Sequence, residues 1–138
     1  MTQMVRRLVN DLVAAWNAHD SERVQSFYAP DCEEEDVAMP APQRGSGTIR
    51  RTMKYYLRAF PDVQVSADEM VCDGDRAVLL WTWRGTHRGR FMNIPPTGRR
   101  VTVRGTTIMK VCDGRIHRVV RVWDVAGLLR ALGLLPEL

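Results

Sequence analysis

Apolar residues recur along the first segment at alternating steps of three and four: Val5, Leu8, Val9, Leu12, Val13 and Trp16. That spacing sets them on one helical stripe. The helix should end near His19-Asp20. Asp20 or Ser21 then caps a short second helix carrying Val24, Phe27 and Tyr28, which Ala29-Pro30-Asp31 ends. A short strand is expected over residues 32–38, with Glu33-Glu34-Glu35-Asp36 placing charge on both of its faces. Pro40, Pro42, Gly45 and Gly47 form a loop. A third helix follows over residues 48–60, with Ile49, Met53, Tyr56, Leu57 and Phe60 on its inner side.

From Pro61 the period changes to two, which predicts strands over residues 63–72, 76–88, 101–112 and 115–124. Val-Cys-Asp-Gly occurs at both 71–74 and 111–114, and Asp-Gly between alternating apolar runs marks a hairpin because Gly tolerates positive φ. The last four strands therefore pair as two antiparallel hairpins, and a short helix over 125–135 closes the chain. Helices sorted to one side of an antiparallel sheet make an α+β fold. Gly85, Gly89 and Gly105 can bend the long strands into a half-open cone with a pocket between sheet and helices.

At 138 residues the chain has the length of one domain, and 45% hydrophobic with 26% charged residues is ordinary for a globular protein. No run approaches the length of a spanning helix and no leader-like segment is visible, so a cytoplasmic protein with no membrane contact is expected. Cys32, Cys72 and Cys112 include no CxxC pair and read as reduced structural thiols. Residues 1–75 hold 8 Lys/Arg against 13 Asp/Glu, and residues 76–138 hold 12 against 3. The arginines of the basic half are scattered along alternating strands and no phosphate loop accompanies them, so nucleic acid is not an expected partner.

Several stretches are familiar together: Gly85-Thr86-His87-Arg88-Gly89-Arg90-Phe91, Ile94-Pro95-Pro96-Thr97-Gly98-Arg99, Asp113-Gly114-Arg115-Ile116, and Trp123-Asp124-Val125-Ala126-Gly127-Leu128-Leu129 with Leu132-Gly133 beyond. Upstream lie Arg58-Ala59-Phe60-Pro61-Asp62 and Trp16 with His19-Asp20. Over nearly its whole length the chain resembles the SnoaL-like polyketide cyclases of the NTF2-like superfamily. The resemblance implies a single cone-shaped α+β barrel, with a curved, mostly antiparallel sheet packed on three helices of the N-terminal half. It also implies intramolecular aldol closure of a ring in an anthracycline precursor, an aromatic polyketide, with no metal or organic cofactor. Two departures stand out: Asn93 replaces a frequent Gly, and the 102–110 strand and the surroundings of Arg121 are more basic than in the cyclases. Some relatives on this fold hydroxylate anthracycline precursors instead, with a separate reductase as a partner.

Alternation groups Val120, Val122 and Asp124 on one strand face and His117, Val119, Arg121 and Trp123 on the other. An acid following two valines is expected in the pocket, where desolvation raises a carboxyl pKa into the range useful for proton transfer. The resemblance matches Asp124 to the cyclases' general acid/base; capping the last helix is the alternative. His87, beyond Trp81 and Trp83, is a candidate donor to a substrate oxygen, or else a pin for the following loop. Trp16, Phe27, Met53, Tyr56, Trp81, Trp83, Phe91, Met92 and Met109 are candidate walls for a flat ligand, or core packing. Trp123 is expected outside, in a homodimer face. Glu34 or Asp36 is either a second pocket carboxyl or part of a solvated edge strand. Three readings result: a cyclase, a cofactor-independent hydroxylase, and a non-catalytic binding or dimerisation module whose pocket its own side chains fill.

Overall fold

The computed structural model describes residues 1–138. Helix α1 (Thr2–Asn17) buries Val5, Leu8, Val9 and Leu12 along the predicted stripe. The side chain of Asp20 accepts from the Arg23 N–H and so caps α2 (Ser21–Ser26). Strand β1 (Tyr28–Asp36) begins four residues before the expected strand, so Tyr28 is strand and not helix. The two-residue β2 (Gln43–Arg44) precedes α3 (Ser46–Ala59). Strands β3 (Gln64–Asp73), β4 (Arg76–Thr86), β5 (Arg100–Cys112) and β6 (Arg115–Trp123) follow, and α4 (Val125–Ala131) ends the fold. No helix is long and apolar enough to cross a membrane.

The six strands form one mixed sheet in the order β2-β1-β6-β5-β4-β3. β1 joins β6 in parallel, and the other pairings are antiparallel. Both expected hairpins form, and Asp113 and Gly114 adopt φ of 53° and 74°, the left-handed conformation a tight Asp-Gly turn requires. The acidic run is therefore not at the edge of the sheet, because β2 covers that side. Cys32 and Glu34 point inward and are buried, while Glu33 and Glu35 point out to Arg44 and Arg118.

A bulge decides which side chains β6 presents to the interior. Val111 pairs with Ile116, but Lys110 pairs with Arg118, so His117 is an extra residue without a partner. One inserted residue moves every later side chain to the opposite face. Ile116 is inside before the bulge; Val119, Arg121 and Trp123 are inside after it, while Val122 is 47% exposed. This corrects the expected faces: without the bulge, Val120, Val122 and Asp124 would share the inner side with Ile116. Trp123 is only 9% exposed and does not lie on an outer dimer face.

Two apolar clusters fill the space between sheet and helices. The first joins α1, α2 and α3 to β1 and the near ends of β4, β5 and β6. The second gathers Phe60, Trp83, Phe91, Val101, Val103, Trp123 and Leu128 under α4 and the 87–99 connection. That connection is folded back: the Arg88 and Gly89 N–H groups both donate to Ala59 O, and Phe91 bridges Ile94.

Candidate active site

On β4, β5 and the part of β6 beyond its bulge, the inner face is built from odd-numbered residues in register. Trp81 lies opposite Gly105, which lies opposite Trp123; Leu79 lies opposite Thr107, and Thr107 opposite Arg121. Gly105 lets the two indoles approach, because a Cβ there would lie 2.5 Å from the Trp81 ring and 2.9 Å from Trp123 Cβ. Between this face and the helices is a cavity of about 910 Å³ counting its open mouth. All four tryptophans of the chain line it, with Tyr28, Tyr56 and Met109. Its charged residues are Asp36 and Arg121, Cα partners on the parallel β1–β6 pair.

These groups are tied into one network. Trp123 Nε1–H donates to Asp36, 3.0 Å from both carboxylate oxygens, and Ala38 N–H donates to Oδ1 at 2.9 Å. Oδ2 accepts only from the indole, so it has acceptor capacity left, and Asp36 lines the cavity. Arg121 donates to the buried carboxylate of Glu34, behind the cavity wall. The Thr48 hydroxyl lies 3.2 Å from the other Glu34 oxygen. Burial works against the Arg121 charge, but Tyr28, Glu34 and Tyr56 more than offset it and hold its pKa above the usual arginine value. Burial foremost, with carboxylates nearby, pushes the Tyr28 and Tyr56 hydroxyls up, so both stay protonated. The walls thus present one carboxylate, one fixed cation and neutral phenols in an otherwise aromatic slot.

A family model for SnoaL-like polyketide cyclases matches residues 6–132. The chain belongs to that family. Among solved structures it is similar to AclR, a proposed hydroxylase from Streptomyces galilaeus, at 29% identity and TM-score 0.90 over 100% of this chain and 90% of AclR. TsrD from Streptomyces laurentii is 28% identical with TM-score 0.88, and the match covers 98% of each chain. IdmH, a proposed polyketide cyclase from Streptomyces antibioticus, is 27% identical with TM-score 0.81 over 94% of this chain and 98% of its own. No protein with a curated description matches the chain in sequence. Family and neighbours place the chain among polyketide-tailoring proteins, and the fold is the NTF2-like one expected.

Within this SnoaL-like domain, Trp16, Tyr56, Trp81, Trp83 and Met109 line the cavity. Met53 is fully buried in the first cluster, and Phe27 packs against its rim beneath Arg23, whose guanidinium sits 5.8 Å from the ring centroid. Phe91 is buried among Tyr55, Tyr56 and Phe60, and Met92 packs on the second cluster with its N–H donating to Tyr55 Oη at 2.6 Å. Asp124 is outside the cavity. It is exposed and caps α4, accepting from Gly127 N–H at 2.8 Å, because the bulge at His117 carries its side chain to the other face. His87 is also outside: it is fully buried, and Thr97 N–H donates to its Nδ1 at 3.2 Å. Its Nδ1 ties it to Thr97 of the 87–99 connection.

The residues that sequence reasoning passed over are Arg121, Trp123 and Thr107, each on the strand face assigned to solvent or left unassigned. Asp36 lines the cavity and is not part of a solvated edge. Asp124 caps a helix as the binding-module reading expects, but the cavity is not filled by its own side chains as that reading requires.

Proposed function

We propose that the chain is a polyketide-tailoring enzyme that closes a ring of an aromatic intermediate by an intramolecular aldol reaction, with Asp36 as general acid/base. A flat multi-ring substrate lies between the tryptophans. The Asp36 carboxylate takes a proton from the carbon between two carbonyls, and the resulting enolate is held by the Arg121 guanidinium. The enolate carbon forms a bond to a second carbonyl carbon, whose oxygen becomes an alkoxide and recovers the proton from Asp36. Nothing is oxidised or reduced, and substrate and product have the same composition until water is lost. One correctly placed carboxyl suffices because the carbon acid is already activated, and a fixed cation in an apolar cavity favours the enolate without reorganisation.

The observation that carries this reading is a carboxylate and a guanidinium on adjacent strands, lining a cavity walled by every tryptophan of the chain. A second reading is favoured by the full-length likeness to AclR. In that reading the same deprotonation yields a carbanion that attacks dioxygen, and two electrons from a separate reductase reduce the peroxide to alcohol and water. Incubation with a tricyclic anthraquinone keto-ester, with and without oxygen, separates the two. Unchanged or water-lighter mass formed equally under nitrogen supports ring closure. A gain of one oxygen atom that disappears under nitrogen assigns hydroxylation instead.

A further inference from the structure

The aromatic cavity has a neighbour of different character. A second cavity, about 820 Å³ counting its mouth, is shared at one wall with the first: Asp36, Thr52 and Tyr56 line both. Its floor is one face of α3, where Thr48, Arg51, Thr52, Tyr55 and Tyr56 recur at helical spacing. The β1–α3 connection and Glu34 supply the opposite wall.

In this second cavity one cation is left without an ion-pair partner. The Glu34 carboxylate is matched by Arg121. Arg44, Arg50 and Arg118 each pair with a glutamate elsewhere. Arg51, an exposed residue of α3 that lines the cavity, has neither a carboxylate nor another hydrogen-bonding partner. The remaining lining carboxylate, Asp36, stands at the junction, whereas Arg51 lines only the second cavity. An anion entering here is repelled near the junction and attracted at the Arg51 end, which fixes a direction as well as a sign.

We propose that the second cavity is a subsite for an anionic substituent, a carboxylate in the simplest case, carried on the aromatic system held in the first cavity, with Arg51 as its counter-ion. The proposal rests on the aromatic-substrate reading of the first cavity. It makes Arg51 a specificity residue: planar guanidinium and planar carboxylate match in two parallel hydrogen bonds. The substrate then spans both cavities, with its reacting carbon beside Asp36 at their junction.

The test compares two probes by quenching of the cavity tryptophans: a dihydroxyanthraquinone, and the same ring bearing one carboxylate. The wild-type protein should bind the carboxylate about tenfold more tightly, as one charge-assisted contact at a partly open site gives. Arg51→Gln should abolish that preference and leave affinity for the uncharged ring unchanged. Arg115→Gln, at the distant β5–β6 turn, should keep the preference and so controls for overall charge. Equal wild-type affinity for the two probes, or a preference that survives Arg51→Gln, overturns the subsite while leaving the aromatic cavity standing. Binding of neither probe overturns the aromatic-cavity reading and the subsite with it.

Discussion

The two ends of the interior use polar side chains in opposite ways. At the closed end, beneath α4 and the 87–99 connection, each polar group is spent on one residue's backbone N–H, with that residue's hydroxyl added in two cases: Asp124 on Gly127, His87 on Thr97, Asp62 on Thr86. At the open end the links run side chain to side chain across the sequence, with Trp123 to Asp36 and Arg121 to Glu34 each spanning 87 positions. A carboxylate that caps a helix has no duty toward a ligand. A carboxylate held by an indole in a cavity wall, with acceptor capacity left, is available to one. Both ends contain an acid near a tryptophan, and only the partners tell them apart.

The sharpest way to break this contrast is Arg121→Met. It leaves the Glu34 carboxylate, 7% exposed, without its counter-ion. Removing one member of a buried pair should cost about 3 kcal/mol of stability, read by urea denaturation, together with loss of ring-closing activity. A cost under about 0.5 kcal/mol, the level of ordinary surface changes, would mean that the open-end network is not coupled. Gly105→Ala comes next: the added methyl meets the Trp81 ring and Trp123 Cβ, and overpacking of that kind costs about 1–3 kcal/mol. Ligand affinity should fall with it, because both indoles must shift. Unchanged affinity would mean that the indoles do not form the binding wall.

At the closed end the effects are smaller and purely structural. Asp124→Ala removes the α4 cap and should lower stability by about 1 kcal/mol with turnover unchanged; a normal melting curve would contradict the cap. His87 supplies a pH dependence. Burial holds its imidazole below the usual histidine pKa, with the Gly89 carbonyl only partly opposing. The folded protein therefore favours the neutral ring, and this contribution is complete above the unfolded pKa of about 6.5. It is lost progressively as pH falls from there to the lower folded value. Melting temperature should fall across that window in the wild type and fall less in His87→Gln. Equal slopes would remove His87 as the cause.

Periodicity was enough for the helical stripe of α1, the two Asp-Gly hairpins and the α+β class, because each depends on neighbours a few positions apart. Resemblance in the Pro-Pro-Thr-Gly loop and the Trp-Asp end extended that to the family and its fold. The site was harder to read because it depends on one inserted residue. Alternation from Ile116 leads inward to Val120, Val122 and Asp124, and their apolar character agrees with it; His117 breaks the count, and nothing in its own identity announces a bulge. Arg121 then sits on a face that hydropathy assigns to solvent. The acidic run misled for a related reason: its edge is covered by the two-residue β2, too short to carry a period. A usable clue lay in the neighbouring strand: β4 turns Leu79, Trp81 and Trp83 inward, and the register from Leu79 through Thr107 brings Arg121 to the same face.

The central claim is that proton transfer belongs to the open end. The most direct test is the ring-closure rate of Asp36→Asn beside Asp124→Asn under single-turnover conditions, with folding verified for both. The account predicts a loss of about 10²–10⁴-fold for Asp36→Asn, the contribution of a positioned general acid/base, and less than about threefold for Asp124→Asn, since Asn caps a helix nearly as well. The reverse ranking would return the chemistry to Asp124 and contradict the account.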